Sequence, residues 1–186
     1  MINPSAALTT ERLQLSPLRV ADAAAMADYQ FRNADFLAPW SPPRPEGWFT
    51  QPFWEKQIGF FEAEERLFLS LRYALRQEDR IVGIANFSQI IRGSSLNCWL
   101  GYGIDQTAEG KGLMYEALSA LLPHIYAGLG LHLIQAGHLP ENVRSSRLLR
   151  RLGFTPFGYA RDYLYIGGAW RDHVLQGLYN PRAVTP

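Results

Sequence analysis

Between Trp99 and Leu118 the chain runs Trp-Leu-Gly-Tyr-Gly-Ile-Asp-Gln-Thr-Ala-Glu-Gly-Lys-Gly-Leu-Met-Tyr-Glu-Ala-Leu, and this stretch restricts the fold more than any other. The pattern predicts a buried strand, a short turn, and a helix entered between two glycines. Gly110 and Gly112 bracket Lys111 where that helix should begin. Without Cβ atoms, glycines let a ligand come close to the backbone. The first turn of a helix has amide N–H groups without partners, and the helix dipole adds positive potential there. Strand, glycine turn and helix start together make a cradle for a pyrophosphate. The P-loop spacing G-x-x-x-x-G-K-[ST] is absent, because Gly112 follows Lys111. The dinucleotide fingerprint G-x-G-x-x-G fails as well, with Gln106 or Tyr115 where the third glycine belongs. By itself such a turn is also compatible with a purely structural bend before a core helix.

Composition sets the outer limits. A chain of 186 residues that is 47% hydrophobic can bury a sizeable core and is expected to form a single domain over 1–186. A formal net charge of +1 demands neither nucleic acid nor an anionic membrane as a partner. Cys98 is the only cysteine, so no intrachain disulfide forms. That usage, with no apolar run near the roughly 20 residues that span a bilayer and no leader-like start, leads us to expect a cytoplasmic protein. His124, His132, His138 and His173 lack metal-ligand spacing, and no metal is expected.

Along the chain, Thr10 to Leu18 alternates like a half-buried strand, and Asp22 to Arg32 reads as an alanine-rich helix. Phe36 to Pro43 carries too much proline for regular structure. Thr50 should cap a helix with Pro52 in its first turn and Trp54, Ile58 and Phe61 turned inward. Phe68 to Leu75 and Ile81 to Ile90 read as antiparallel strands, followed by a strand over Cys98 to Ile104. The helix from Gly112 presents Leu118, Leu121, Leu122, Ile125 and Leu129, with an expected kink at Pro123. A strand from Leu131 to Leu139, a helix opened by Asn142, and a hairpin of Asp162–Ile166 with Trp170–Tyr179 complete the chain.

The positions Thr107-Ala-Glu-Gly-Lys-Gly112 resemble the [QR]-x-x-G-x-[GA] phosphate loop of the GNAT acyl-CoA N-acetyltransferases, with threonine at the first place. Further on, Asn142-Val-Arg-Ser145 opens a helix that ends Leu152-Gly153-Phe154, similar to the N-x-x-S helix of the same family. Asn142 is a capping residue type and Gly153 suits a left-handed C-terminal cap, so an ordinary capped helix is the plainer reading of that segment alone. Both motifs stand in the family's order. The resemblance implies an α/β fold with a mixed sheet, mostly antiparallel and flanked by helices. Thr10-Glu-Arg-Leu13, Asp35 to Trp40, Gly83 to Phe87, Arg92-Gly-Ser94, Gly110 to Met114 and Trp170-Arg-Asp-His173 narrow it. They resemble the ribosomal-protein-alanine N-acetyltransferases, the branch that acts on the N-terminal alanine of ribosomal protein S5.

That resemblance implies acetyl-CoA as co-substrate and a protein N-terminus, of a ribosomal protein, as acceptor. The pantetheine arm would pair with Leu100, Gly101, Tyr102, Gly103 and Ile104, and the pyrophosphate would lie over Glu109, Gly110, Lys111, Gly112, Leu113 and Met114. Asn142 and Ser145 would contact the cofactor. Ser145 would also serve catalysis at the departing thiolate, with Tyr159 as a proton relay. Trp40, Trp48 and Asn86 are the substrate-binding candidates. The carboxylate that many relatives carry on the cofactor strand is Trp99 here, and Phe157-Gly158 stands where others have Glu-Gly, so no general base transfers. Two alternatives stay open at this stage: an acetyltransferase of small amines or antibiotics, and a non-catalytic acyl-CoA-binding or ribosome-associated factor. An oligomer is compatible with either.

Overall fold

The strand expected from Thr10 to Leu18 forms only over Gln14–Pro17, and Leu8–Thr9 pairs back on it as a tight hairpin. In the computed structural model, which describes residues 3–182, β1 (Leu8–Thr9) pairs with β2 (Gln14–Pro17) around Glu11 and Arg12. The chain then forms α1 (Ala23–Arg32), α2 (Ala34–Leu37), α3 (Gln51–Arg66), β3 (Leu71–Gln77), β4 (Arg80–Ile91) and β5 (Asn97–Ile104). After β5 come α4 (Leu113–Leu129), β6 (Leu133–His138), α5 (Val143–Arg151), β7 (Thr155–Ile166) and β8 (Ala169–Tyr179). One sheet of eight strands holds them in the order β1-β2-β3-β4-β5-β6-β8-β7. Every neighbouring pair is antiparallel except β5–β6, which α4 joins by a crossover. The expected mixed, mostly antiparallel sheet is what forms.

Both faces of the sheet are covered. On one face α4 buries Leu113, Leu118, Leu121, Leu122, Ile125 and Leu129 against Leu15, Leu75, Phe87, Leu100 and Ile134. The apolar stripe at i, i+3, i+4 and i+7 is what drives this helix onto the sheet. Each fully buried leucine or isoleucine contributes about 1.5–3 kcal/mol. On the other face α1 and α3 bring Met26, Tyr29, Trp54 and Ile58 onto Ala74 and Ile81. The strip of β4 and β5 between these layers carries the site.

Three local expectations need correction. Phe36 to Pro43 is not irregular throughout: α2 and a single 3-10 turn at Ala38–Trp40 occupy its first half. Pro39 sits in the first turn, where its missing N–H costs nothing. Strand β3 starts at Leu71 rather than Phe68, because Phe68 turns the chain with φ 51°. The last hairpin begins seven residues before Asp162, at Thr155, and Asp162 lies instead in a bulge of β7 with φ 47°. Pro123 does lie inside α4, as expected, at an exposed position.

Candidate active site

The geometry of the site starts from a break in pairing. Strands β5 and β6 run side by side from Asn97↔Leu133 to Leu100↔Ala136, and there their ladder ends. Both strands continue, β5 to Ile104 and β6 to His138. On its other edge β5 stays paired to β4 out to Gly83↔Ile104. Residues 101–104 therefore present one edge of backbone N–H and C=O groups to a gap in the middle of the sheet. Such an edge takes an added strand.

The gap leads into the glycine turn. Asp105 closes β5 and caps the 3-10 turn Gln106–Ala108 by accepting from the Thr107 amide at 2.8 Å and the Thr107 hydroxyl at 2.7 Å. Its other oxygen receives Arg32 and, at 3.3 Å, the Asn33 amide, both from the α1–α2 region. Asp105 is 1% exposed. Burial would raise its carboxyl, but the bonds from Thr107, Asn33 and Arg32 outweigh that and hold it at about 2. Gly110 and Gly112 then both adopt the left-handed conformation, with φ 74° and 77°. Nothing lies within 4 Å of where a Gly110 side chain would start. Glu116 is the first residue of α4 to bond back, to the Gly112 carbonyl at 3.0 Å, so the amides before it have no helical partner. A cleft of about 780 Å³ opens here, lined by Gly110, Lys111, Gly112, Tyr115, Arg12 and Arg151.

Arg12 holds this loop from the β1–β2 hairpin. It donates to the Lys111 carbonyl at 2.9 Å and to Glu116 at 2.6 Å, while the Thr10 hydroxyl also donates to Glu116. Arg151 of α5 stacks on Tyr115, 3.7 Å from the ring centre. Glu109 pairs with Arg144 at 2.7 Å, which ties the turn to α5.

Helix α5 starts on Asn142, whose side-chain oxygen accepts from the Ser145 amide at 3.0 Å. This cap leaves the Ser145 hydroxyl free to meet the Tyr102 hydroxyl of β5 at 2.6 Å. Burial pushes the Tyr102 phenol up to about 12, and the bond to Ser145 offsets only part of that. The pair stays protonated at neutral pH and can pass a hydrogen bond toward the gap. Tyr159 stands elsewhere. Its exposed hydroxyl donates to Asp172 at 2.7 Å and makes no bond to Ser145 or Tyr102.

The opposite face of the same strands is uncovered at Gly101 and packed at Gly103. Register places Asn86 beside Gly101, Ile84 beside Gly103, and Ser88 beside Trp99. The Tyr29 hydroxyl packs against Gly103, so near that a Cβ there would lie 3.2 Å away, and it has no hydrogen-bond partner among the described residues. Trp40 is 38% exposed at the end of its 3-10 turn. Trp48, by contrast, is packed between α1 and α3. Its indole N–H donates to Gln30 at 3.0 Å and its ring lies 4.7 Å from that of Trp54.

Comparison with known proteins gives this arrangement a family. The family described as the acetyltransferase (GNAT) domain matches residues 12–155. The chain belongs to the GNAT acetyltransferases. It is 42% identical over 180 residues to the [ribosomal protein uS5]-alanine N-acetyltransferase of Escherichia coli, covering 96% of this chain and 93% of that one. The structure of the ribosomal-protein-S5-alanine acetyltransferase from Vibrio fischeri superposes with a TM-score of 0.93 at 31% identity, over 97% of this chain and all of that one. RimJ of Mycobacterium smegmatis, in complex with CoA-disulfide, matches with a TM-score of 0.91 at 27% identity, over 98% of this chain and 93% of that one. The chain is thus an acetyltransferase of the ribosomal-protein acetyltransferase type.

In this GNAT chain several side chains that the sequence does not single out line or brace the β5 gap and the glycine turn. Tyr102 was read for its backbone, whereas its side chain completes the Ser145 pair. Arg12 and His173 lie inside the family-like segments Thr10–Leu13 and Trp170–His173, which was the available signal for them. Tyr29, Arg32 and Asp105 gave none, because their meeting depends on how α1 docks on the sheet.

Proposed function

We propose that this acetyltransferase moves the acetyl group of acetyl-CoA to the N-terminal α-amine of a protein, the N-terminal alanine of a ribosomal protein, by direct attack within a ternary complex. The observation that carries the reading is the unpaired edge of β5 at residues 101–104, which runs straight into the glycine cradle of 109–114. Pantetheine, which carries two amides along its arm, pairs with the free edge of β5 just beyond Leu100, over Gly101 to Ile104, as an added strand. The pyrophosphate rests on the amides from Glu109 to Met114, with Lys111 supplying charge. At the gap, a β5 amide meets the oxyanion that forms when the amine attacks the thioester. Asn142 positions Ser145, and Ser145, backed by Tyr102, donates to the departing CoA thiolate.

The acceptor enters on the opposite face, past Asn86 and Trp40, with Trp48 shaping the wall behind them. Similarity along nearly the whole length to an enzyme named for uS5 alanine supports a peptide N-terminus over a small amine. A ribosomal target places the reaction in the cytoplasm. Thiol release with acetyl-CoA, measured on peptides beginning Ala, Ser or Met, on free alanine and on spermine, tests the proposal. The Ala peptide should exceed free alanine and spermine by at least about tenfold in kcat/KM, a difference of 1.4 kcal/mol. Mass spectrometry should locate the acetyl group on the α-amine. Equal rates on spermine and on the Ala peptide would instead make the protein a small-amine acetyltransferase.

A further inference from the structure

The proposed transfer needs a group that accepts a proton, because an N-terminal amine has a pKa near 8 and is mostly an ammonium at neutral pH. Trp99 holds the strand position where a carboxylate was sought, and Asp172 is occupied by the Tyr159 hydroxyl and the Asp162 amide, at 2.7 and 2.9 Å. His173 is differently placed. It belongs to β8, in the register where Gly137 pairs with Leu175, so its ring lies on the same face as Gly137 and Leu175. Counting along β8, it comes level with the point where β6 has just ended and the gap beside β5 is open. Its Cδ2 would lie 3.6 Å from a Cβ on Gly137, and Trp99 approaches the same point at 3.9 Å. Gly137 puts no side chain beside the imidazole, which shares this place with the rings of Trp99 and Tyr163.

The ring is also fixed in orientation. Its Nδ1 lies 3.1 Å from the Arg171 carbonyl, an acceptor only, so Nδ1 carries the proton in the neutral ring. Nε2, bonded to the Cδ2 that faces Gly137, keeps its lone pair and has no partner among the described residues. The Tyr163 ring packs at 5.4 Å and holds the imidazole from the side of β7. The residue is 4% exposed, so most of the ring is screened from bulk water.

We infer that His173 Nε2 is the general base, a catalytic residue of the acetyl transfer. The assignment rests on the proposed attack by an amine. The acceptor ammonium gives one proton to Nε2, and the free amine attacks the thioester carbonyl. A C–N bond forms and the C–S bond breaks. The second amine proton passes to the thiolate, giving amide and CoA thiol, and the imidazolium then returns its proton to solvent. Charged and titrating groups around the ring are few. Asp172 and Arg171 flank it in the chain, each tied elsewhere, and β7 presents the Tyr163 phenol with Arg161 nearby in sequence. Trp99 of β5 and Gly137 of β6 carry no titrating group.

The test pairs His173→Asn, which keeps a donor for the Arg171 carbonyl, with His173→Gln. Both should lower kcat/KM for the Ala peptide at pH 7 by at least about a hundredfold, with acetyl-CoA affinity within about twofold of the parent. The loss should shrink as pH rises past the amine's own pKa of about 8, where free amine no longer needs a base. A merely structural role would not produce that shrinkage. Nitrogen-15 NMR of the unsubstituted protein should show His173 as the Nδ1–H tautomer, a readout independent of whether the variants fold. Rates within about threefold of the parent at pH 7, a loss unchanged between pH 7 and 9.5, or an Nε2–H tautomer would each overturn the assignment. An unsubstituted protein inactive on every amine overturns the function as well; an active one that tolerates the substitutions overturns this base alone.

Discussion

Past Leu100, the two faces of β5 are built in opposite ways. Toward α4 and α5 the strand carries Tyr102, a half-buried aromatic packed on the core whose hydroxyl is closed by Ser145. Toward α1 it carries Gly101 and Gly103, with the Tyr29 hydroxyl left without a partner beneath. One face is filled, hydrogen-bonded and finished by the chain itself. The other is bare only at Gly101, where nothing lies within 4 Å of a would-be Cβ, and is closed at Gly103 by Tyr29, Ile84 and Leu37. The contrast teaches that a single strand can be finished on one flank and bare on the other, which is what the proposed binding of two reactants to it requires. Asp105 joins the two, since it caps the turn on the cofactor side and receives Arg32 and Asn33 from the acceptor side.

Breaking the finished side should cost most. Gly110→Asp adds a side chain at φ 74° and a negative charge where a pyrophosphate would lie. Acetyl-CoA affinity should fall about a hundredfold, or 2.7 kcal/mol, by calorimetry, with the fold retained. Unchanged affinity would mean that the cradle is elsewhere. Breaking the joint should come next. Asp105 ionises well below an unfolded aspartate, so its stabilisation is complete above pH 4 and is lost as pH falls toward 2. Asp105→Asn should therefore be less stable at pH 7 by on the order of 2 kcal/mol, and the difference from the parent should close below pH 4. A gap independent of pH in denaturant titrations would assign the loss to packing.

Ser145→Ala should sharpen the comparison, with turnover falling about tenfold, or 1.4 kcal/mol, and cofactor affinity nearly constant. Tyr102→Phe should act through the same bond, so that the double variant is barely worse than either single one. If only cofactor affinity changes, Ser145 is a binding contact. The smallest effect is expected on the bare side. Trp40→Ala should raise the acceptor KM by about three- to fivefold, under 1 kcal/mol, and leave acetyl-CoA binding alone. Kinetics in which both substrates suffer equally would show that the faces are not independent.

The same contrast explains what could be read before the fold was known. The cofactor side is written in consecutive residues: Gly110 and Gly112 must be glycine for φ, Asn142 must cap, and the leucines of α4 repeat at helical spacing. Such signals survive in one dimension. The proposed acceptor side draws on α1, β4, β5, β6 and β8, with more than a hundred residues between Tyr29 and His173, and no spacing announces it. Trp48 shows the converse hazard. Counted among loop aromatics, it proves to be anchored by Gln30 and Trp54 inside the α1–α3 layer. Proline misled in the same way around Pro39, because its effect depends on which turn of a helix it occupies.

The interrupted ladder after Leu100↔Ala136 has a consequence for the protein as a material. A row of free amides and carbonyls inside a sheet is adhesive toward any extended chain, including another copy's loosened strand. A ligand that pairs along it removes that adhesive edge and, at a hundred times its dissociation constant, adds about 2.7 kcal/mol to the folded state. On the proposed binding of acetyl-CoA along this edge, colloidal behaviour and heat resistance follow cofactor supply as much as sequence, and preparations without CoA should precipitate first.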